Sequence, residues 1–239
     1  MLNNLPPELY FFLRYNWLKY KKKIEKEMAY LDKILSKKRR FVDVGCNFGI
    51  YSYFFRNKFK NIEAFEPIYE VTKQLKGLSK YNINVHNVGL SDLEGDAQIS
   101  IPLKNGKLHT SDSTLNEIGD NSYEQRRIKT KTLDSFHFTN VDLIKIDVEG
   151  HEENVINGSQ ATISDNKPLL LVEIEDRHLR YKKIEDIFNL ICSLSYDGFF
   201  LLDGKMISIN QFEISKYQNQ KMIATNDYNY INNFIFIHS

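Results

Sequence analysis

The segment Val42-Asp43-Val44-Gly45-Cys46-Asn47-Phe48-Gly49-Ile50-Tyr51-Ser52 indicates the fold class of this chain. An apolar run ends at a first glycine, and a second glycine four positions later precedes a helical pattern. This order predicts a buried strand, a tight turn and a helix. Glycines let a backbone pass close beneath a ligand, and the first turn of a helix presents free N–H groups. The turn is therefore a candidate ligand-binding element.

The spacing of the turn is G-x-N-x-G, which differs from the G-x-G-x-x-G that holds a pyrophosphate in dinucleotide-binding proteins. Asp43, just before the turn, would repel a diphosphate but suits a cationic amino group. Glu66 ends the next predicted strand, 21 positions after Gly45, where an acid binds ribose hydroxyls in doubly wound folds. A ligand with a ribose and an amino group but no phosphate fits these features, and S-adenosylmethionine is such a ligand. The alternative is an ordinary strand–helix turn followed by an unrelated glutamate.

Short apolar runs alternate with helical patterns over most of the chain. We predict strands at 41–45, 62–65, 84–88, 142–148 and 169–174, and helices at 49–59, 69–81, 152–163 and 184–194. Alternation at 97–101 and 128–132 predicts antiparallel strands around a polar loop, and two β-rich runs, 199–202 and 234–237, close the chain. Repeated strand–helix alternation predicts a mostly parallel sheet covered by helices on both faces.

A second group of polar residues follows two later strands. Asp147, Glu149 and His151 lie at the end of the strand predicted at 142–148, and Glu173 ends the following strand. Ligands of open α/β sheets bind at the carboxyl ends of the strands, and buried carboxylates cost free energy unless they are paired or used. We therefore expect a catalytic cluster at this edge. The alternative is a structural polar network or a cap on the helix at 152–163.

The residue types of this cluster suggest roles. An alcohol is a poor nucleophile until a base takes its proton, and His151 is the natural base because its ordinary pKa is near neutral. Asp147, Glu149 and Glu173 are expected to orient His151 or to bind the second substrate. Carboxylates are also ligands for divalent ions, but we assign no metal ligand set.

Six motifs in order resemble the FkbM family of S-adenosylmethionine-dependent methyltransferases. They are VDVGCNFGIYS (42–52), AFEP (64–67), NVGLSD (87–92), KTLDSF (131–136), DLIKIDVEGHEENVINGS (142–159) and LLLVEIE (169–175). IDVEGHE is the specific part, because the glycine turn is shared by all class I methyltransferases. The closing NFIFIH (233–238) is also typical of the family.

The resemblance implies an α/β fold: a Rossmann-like, doubly wound, seven-stranded and mostly parallel sheet with an antiparallel last strand. It implies one class I methyltransferase domain over residues 41–239, and O-methylation of a hydroxyl on a sugar, glycan or natural product. The cofactor residues that it implies are Asp43, Gly45, Asn47 and Gly49 for the methionine end, Glu66 for the ribose, and the turn Gly89-Leu90-Ser91-Asp92 near the adenine.

The first 40 residues differ from the rest. Their apolar residues recur at steps of three and four and predict one long amphipathic helix with a basic opposite face. The stripe comprises Leu9, Phe12, Leu13, Trp17, Tyr20, Ile24, Met28, Leu31 and Leu35. We interpret residues 1–40 as a helical extension that packs on the domain with its cationic face in solvent. The alternatives are contact with a partner or a second copy, an acidic substrate, or a membrane surface.

Composition restricts the remaining functions. The net charge of the 239 residues is +1, so no global field favours nucleic acid. Two distant cysteines fit a reducing cytosol, and no segment approaches the ~20 apolar residues of a membrane span, so we expect a soluble, cytoplasmic protein. A nucleic-acid methyltransferase is an alternative, although Asp-Val-Glu-Gly at 147–150 differs from the Asp/Asn-Pro-Pro-aromatic pattern of base methylation. Two others are a non-catalytic cofactor-binding protein and a dinucleotide oxidoreductase, the latter disfavoured by the glycine spacing.

Overall fold

The computed structural model describes residues 6–21, 24–78, 81–104, 106–110, 113–115, 122–179, 182–219, 221–222 and 229–239. The helices of this part are α1 (Pro7–Tyr20), α2 (Lys26–Ile34), α3 (Ile50–Phe55), α4 (Tyr69–Leu75), α5 (Glu152–Asn157), α6 (Gln160–Asn166), α7 (Ile184–Ser193) and α8 (Ile214–Tyr217). The strands are β1 (Arg40–Val44), β2 (Asn61–Phe65), β3 (Ile83–His86), β4 (Gly89–Leu90), β5 (Gly95–Lys104), β6 (Lys107–Leu108), β7 (Tyr123–Lys131), β8 (Val141–Ile146), β9 (Leu169–Glu173), β10 (Tyr196–Leu202), β11 (Lys205–Ser208) and β12 (Asn233–His238).

The main sheet has the order β3-β2-β1-β8-β9-β12-β10-β11. Its first five strands are parallel, and β12 runs antiparallel to both of its neighbours. The predicted doubly wound fold with an antiparallel last strand is confirmed. The chain runs from β1 to β2 and β3 on one side, and later continues with β8 and β9 on the other side of β1. The carboxyl ends of β1 and β8 therefore form the switch point where ligands bind in such sheets.

The main sheet has eight strands within the described residues, not the predicted seven. The additional strand, β11, pairs antiparallel with β10 through a two-residue turn at Asp203 and Gly204. Both turn residues have positive φ, 48° and 74°, as the tight hairpin turn that favours Asp-Gly requires. The Asp-Gly pair is the sequence signal for this hairpin, and the seven-strand prediction overlooked it.

A second sheet of four strands, in the order β4-β7-β5-β6, lies beside the site. Its long antiparallel pair joins β5 and β7 over the register from Gly95↔Thr130 to Pro102↔Tyr123, which confirms the predicted antiparallel strands. β4 pairs with the end of β7 at Gly89 and Leu90. This pairing fixes the Gly89 turn to the second sheet.

Side chains of the central strands alternate between two apolar layers, as the period of a strand requires. In β8, Ile144 and Ile146 are buried in the layer that contains Val155 of α5. Leu143 is buried in the layer that contains residues of α1 to α4. Lys145 is buried on the same face as Leu143. Lys145 therefore places a charge inside the apolar layer that contains Leu143.

The helix predicted at 152–163 is two helices. A Cβ on Gly158 would lie only 2.0 Å from the carbonyl oxygen of Ser91, so the chain approaches the Ser91 turn closely at the break. Asp134 then accepts hydrogen bonds from the N–H groups of Ala161 (3.0 Å) and Thr162 (2.7 Å) at the start of α6. These bonds satisfy donors that a new helix leaves unpaired. The helices predicted at 49–59 and 69–81 are also shorter, as α3 and α4.

The single long helix predicted for the first 40 residues is wrong, because α1 and α2 are separate. Glu25, just before α2, has extended backbone angles, φ −64° and ψ 133°. In the sequence, Lys19 is followed three and four positions later by Lys22 and Lys23, and like charges at this spacing destabilise a helix. No helix of the described residues is long and apolar enough to cross a membrane.

The interruption separates the faces of the two helices. In α2 the predicted stripe is buried at Met28 and Leu31. In α1 the prediction is wrong: Tyr10 and Phe11 are buried, and Phe11 stacks on Tyr53 with ring centroids 5.8 Å apart. The predicted α1 residues instead face outward; they are Leu9, Phe12, Leu13, Trp17 and Tyr20. Once α1 does not continue into α2, the two helices need not bury the same stripe.

Candidate functional site

The glycine turn connects β1 to α3 and lies against the end of β8. Gly45 has φ +70°, and a Cβ at this position would lie 1.8 Å from the carbonyl oxygen of Asp147. The N–H groups of Gly45 and Cys46 both donate to the Phe65 carbonyl at 3.0 Å, which ties the turn to β2. Only glycine combines this backbone conformation with so close a neighbour. The turn is therefore held between the two strands that flank β1.

A cleft opens at the switch point, the place where ligands bind in open α/β sheets. Six of the residues selected from the sequence line it: Gly45, Asn47, Glu66, Gly89, Asp147 and Glu149. Its other lining is mainly apolar and includes Val44, Phe65, Pro67, Val88, Leu90, Ile99, Leu115 and Val148. Residues chosen from four separate motifs thus meet in one cleft.

Glu66 is fixed at the edge of this cleft by the glycine turn itself. Its carboxylate accepts hydrogen bonds from the N–H groups of Asn47 (3.1 Å) and Ile68 (2.9 Å). Burial raises the pKa of Glu66 to about 7, against the lowering effect of these two bonds. A carboxyl group held in this way can accept or donate hydrogen bonds to ligand hydroxyls.

Ser91, Asp92 and His151 form a neighbouring network outside the residues that line the cleft. Ser91 Oγ lies 2.9 Å from His151 Nε2 and donates to Asp92 at 2.9 Å, while the Asn154 side chain donates to Asp92 at 3.0 Å. Burial lowers the pKa of His151 to about 4, so its imidazole is neutral at physiological pH. His151 is thus placed with the Gly89–Asp92 turn, away from Glu173.

Asp43 and Lys145 form a charged layer beneath the turn. Asp43 is fully buried and accepts hydrogen bonds from the backbone N–H (3.1 Å) and the hydroxyl (2.6 Å) of Ser52. Lys145 Nζ lies 2.8 Å from Asp147 Oδ2. Burial opposes the charge of Lys145, but the attraction of Asp147 and Asp43 outweighs it and raises the pKa of this lysine. Asp43 therefore supports the turn from below and does not line the cleft.

Two further acids adjoin this layer. Glu25 accepts hydrogen bonds from the Tyr51 hydroxyl and, at 3.3 Å, from the Asn233 side chain. Glu173 accepts from the Asn232 side chain at 2.6 Å. Burial and nearby carboxylates raise the pKa values of both glutamates, although Lys145 opposes the shift. Acids therefore outnumber Lys145 in this layer, and a cation bound above it would be stabilised.

Glu149 is a second acid at the cleft with a basic partner. Its Oε2 lies 2.7 Å from His178 Nδ1, and its backbone has a strained positive φ of 53°. Burial and the charge of Asp147 raise the pKa of Glu149, while the hydrogen bond from His178 opposes the shift. Burial would lower the pKa of His178, but the Glu149 carboxylate outweighs it and raises that pKa. Strained residues such as Glu149 often occur at functional sites.

Three residues near the site were not among those predicted from the sequence: Lys145, Glu25 and His178. Lys145 had a signal, because a lysine two positions before Asp147 on a buried strand must lie on the same face. His178 stands five positions after Glu173, but nothing in the spacing indicates Glu149 as its partner. Within the described part of the chain, no group of three or more His, Cys, Asp or Glu side chains is arranged to hold a metal ion. At Asp147, the Lys145 ammonium already occupies one carboxylate oxygen.

Comparisons with known proteins bear on the whole arrangement. The model of the methyltransferase FkbM domain matches residues 43–197, whereas no curated protein matches the chain. Among solved structures, the FkbM methyltransferase of Methylobacillus flagellatus KT is similar, with 17% identity and a TM-score of 0.55 over 95% of this chain. The chain spans about half of that structure, 53%.

Two further structures are less similar. A putative methyltransferase from Streptococcus mutans in complex with SAH has 11% identity and a TM-score of 0.48, with 90% of this chain and 96% of that chain covered. An rRNA methylase from Streptococcus thermophilus has 11% identity and a TM-score of 0.46, with 90% and 95% covered. The family match spans more than half of the chain and includes the turn, Glu66 and the IDVEGHE segment. The chain therefore belongs to the FkbM family of methyltransferase domains.

Proposed function

We propose that this protein is an S-adenosylmethionine-dependent O-methyltransferase that acts on a hydroxyl of a sugar, glycan or natural product. The observation that carries the proposal is the attachment of Glu66 to the glycine turn through the Asn47 N–H at 3.1 Å. This bond holds Glu66, the acid that would bind the ribose, beside the turn at Gly45, and both residues line the same cleft. The family membership supports the reaction class, and the resemblance to FkbM enzymes supports the hydroxyl acceptor.

The residues present fit this cofactor. Asn47 lines the cleft, and its side-chain oxygen is buried with no hydrogen-bond partner among the described residues. A buried acceptor without a partner is costly, and the amino group of the cofactor's methionine end would supply the donor. The acidic layer around Lys145 suits the positive charge of that end. Gly45, Asn47 and Gly49 would hold it, with Asp43 supporting the turn from beneath.

When bound, the cofactor would supply an electrophilic sulfonium methyl group. The chain must then position the acceptor hydroxyl in line with that methyl and accept its proton. Glu149 is our choice for the proton acceptor, because its carboxylate lines the cleft and its pKa is raised toward the working range. His178, at 2.7 Å, holds the carboxylate in place and stabilises its charge. Asp147, which also lines the cleft, would bind the acceptor.

His151 receives a different role from the one expected from its ordinary pKa. Its Nε2 lies 2.9 Å from Ser91 Oγ, and burial makes it a weak base with a pKa of about 4. We assign it to positioning the turn Gly89-Leu90-Ser91-Asp92 at the adenine end. The geometry therefore favours Glu149 over His151 as the group that accepts the hydroxyl proton.

Calorimetric titration with S-adenosylhomocysteine tests the cofactor assignment. We expect the wild type to bind and Glu66→Ala to bind at least about tenfold more weakly, since hydrogen bonds to a charged group contribute roughly 1.5–3 kcal/mol. Glu70→Gln, in the exposed first turn of α4, is the matched control and should bind normally. NAD should not bind. No binding by folded wild-type protein would overturn the proposal.

Transfer of a labelled methyl group to a panel of carbohydrates and glycosylated small molecules then tests the acceptor class. Labelling of a hydroxyl that Glu149→Gln abolishes supports the proposal. Labelling of RNA alone would replace the acceptor class with nucleic acid. Cofactor binding without turnover on any acceptor would favour the non-catalytic alternative.

A further inference from the structure

Helix α1 carries a second apolar face that points away from the protein. Tyr10 and Phe11 are buried on its inner side. The outer side exposes five large side chains, which we call the α1 outer face: Leu9 (42% exposed), Phe12 (55%), Leu13 (40%), Trp17 (53%) and Tyr20 (82%). Their spacing of three and four positions places them along one side of the helix. The face is a contiguous stripe and not a set of scattered residues.

Such a stripe requires an explanation, because single exposed apolar residues are normal and contiguous patches mark interaction sites. Eight large hydrophobic side chains are exposed among the described residues, and five of them are on α1. The other three are Tyr69, Leu93 and Leu108, which lie on separate segments. The exposure is therefore a property of this helix and not of the surface in general.

The charge around the stripe indicates the chemistry of what covers it. The first 40 residues contain eleven Lys and Arg against four Asp and Glu, a net charge of +7, whereas the whole chain has +1. Several of these cations are neutralised, for example Lys38 by Asp32 and Arg39 by Asp142. Lys19 and Lys21, however, are exposed at the end of α1 where Trp17 and Tyr20 lie. The stripe thus ends in a cluster of exposed cations.

We propose that the α1 outer face, together with Lys19 and Lys21, binds the surface of an anionic lipid bilayer. In helices that lie on membranes, aliphatic and Phe side chains enter the boundary of the acyl chains, and Trp and Tyr lie at the level of the headgroups. The alkyl part of a lysine side chain covers apolar surface, while its charge contacts anionic headgroups. Two copies packed through this face would cover the apolar stripe but would offer no anionic headgroups to the exposed Lys19 and Lys21. Nucleic acid would satisfy the lysines but leave Leu9, Phe12 and Leu13 uncovered.

The inner side of α1 connects this surface to the site. The Arg14 guanidinium lies 3.9 Å from the ring centroid of Phe48, the residue between Asn47 and Gly49. Arg14 also donates to the Tyr10 hydroxyl at 2.9 Å. A bilayer bound to the outer face would therefore be separated from the glycine turn by the width of α1. The inference does not depend on the proposed reaction.

Trp17 is the only tryptophan of the chain, so its fluorescence reports on this face directly. We would mix the full-length protein with phosphatidylcholine vesicles that contain or lack phosphatidylglycerol, and measure co-sedimentation and Trp17 emission. We expect co-sedimentation and a shift to shorter wavelength with the anionic vesicles only, weakened by added salt, and quenching of Trp17 by brominated lipid. Leu9→Ser/Leu13→Ser should lose the shift, and Lys19→Glu/Lys21→Glu should lose the preference for anionic lipid.

Leu93→Ser is the matched control, because Leu93 is exposed on another segment, and it should behave as wild type. Absence of binding to anionic vesicles by protein that still binds S-adenosylhomocysteine would overturn the inference and leave the proposed function intact. A Trp17 shift that needs no vesicles but follows a doubling of the mass in light scattering would assign the face to a second copy. A shift with RNA in place of vesicles would assign it to nucleic acid.

Discussion

Glu149 Oε2 lies 2.7 Å from His178 Nδ1, and the pair joins the segment after β8 to the segment after β9. The two residues are 29 positions apart in the chain, and they meet because β8 and β9 are parallel neighbours whose carboxyl ends lie at the same edge. Glu149 also lines the cleft. In the proposed reaction, this pair would hold the proton that the acceptor hydroxyl gives up.

Replacing Glu149 tests its role as proton acceptor. Glu149→Gln keeps the shape of the side chain but cannot take a proton, so we expect turnover to fall by roughly 10²–10⁴-fold, the usual contribution of a general base. Cofactor affinity in the calorimeter should change little. Unchanged turnover would contradict the assignment.

Replacing His178 should move the pH profile. His178 lowers the pKa of Glu149 through its hydrogen bond and charge, so His178→Ala should raise that pKa further. Because the base acts in its deprotonated form, the rising limb of kcat/KM should shift to higher pH. His137→Asn is the control, since asparagine tolerates the positive φ of 51° there. A lower rate with an unmoved pH profile would indicate a structural role only.

Gly45 and Gly204 offer a matched test of the glycine turn. They have similar φ values, +70° and +74°, but a Cβ at Gly204 meets nothing within 4 Å. Gly204→Ala should cost roughly 1–2 kcal/mol of unfolding free energy, the cost of the left-handed conformation alone. Gly45→Ala should cost several kcal/mol more and abolish cofactor binding, because its Cβ would meet the Asp147 carbonyl. Urea unfolding curves measure the unfolding free energy of both variants. Equal losses would show that the Gly45→Ala variant avoids the contact between the new Cβ and the Asp147 carbonyl.

Cofactor binding should release protons from the acidic layer. The pKa values of Glu25, Glu173 and Asp43 are raised by burial, with neighbouring carboxylates adding to the effect. A cation bound above them favours the charged carboxylates, so their pKa values fall and protons leave. S-adenosylmethionine should release more than S-adenosylhomocysteine, whose sulfur is neutral. Titrations in buffers of different ionisation enthalpy measure the difference, and equal release would place the sulfonium away from this layer.

Glu152 should make stability depend on pH. Its side chain is buried, and burial raises its pKa from 4.5 to about 7. The folded protein therefore binds this proton more tightly than the unfolded chain does. Below about pH 4.5 Glu152 is protonated in both states and does not lower the free energy of unfolding. That free energy falls by roughly 3 kcal/mol as the pH rises from 4.5 to 7.

Glu152→Gln should remove this fall, because glutamine still accepts the hydrogen bond from the Gly150 N–H (2.9 Å in the wild type). Urea midpoints at pH 5 and pH 8 should differ less in this variant than in the wild type. Glu153→Gln, at the next position and paired with Lys182, is the control and should retain the fall. A variant as pH-dependent as the wild type would assign the effect to another acid.

The sequence by itself determined the elements whose chemistry is local. The glycine turn, the acid at Glu66 and the alternation of β5 and β7 follow from residue types at fixed spacing. A conformational requirement such as the positive φ of Gly45 restricts the residue types at a few neighbouring positions, so the sequence alone indicates it. The order of the motifs also indicated the family, and with it the antiparallel last strand.

The tertiary structure decided which distant side chains meet. The sequence could not pair Glu149 with His178, direct Glu25 to Tyr51, or place His151 beside Ser91, because these contacts depend on how strands and loops pack. The face of α1 was decided in the same way. Both sides of that helix are apolar, so periodicity alone cannot tell which side is buried. Packing of Tyr10 and Phe11 against the domain made the choice and left Trp17 and Tyr20 on the surface.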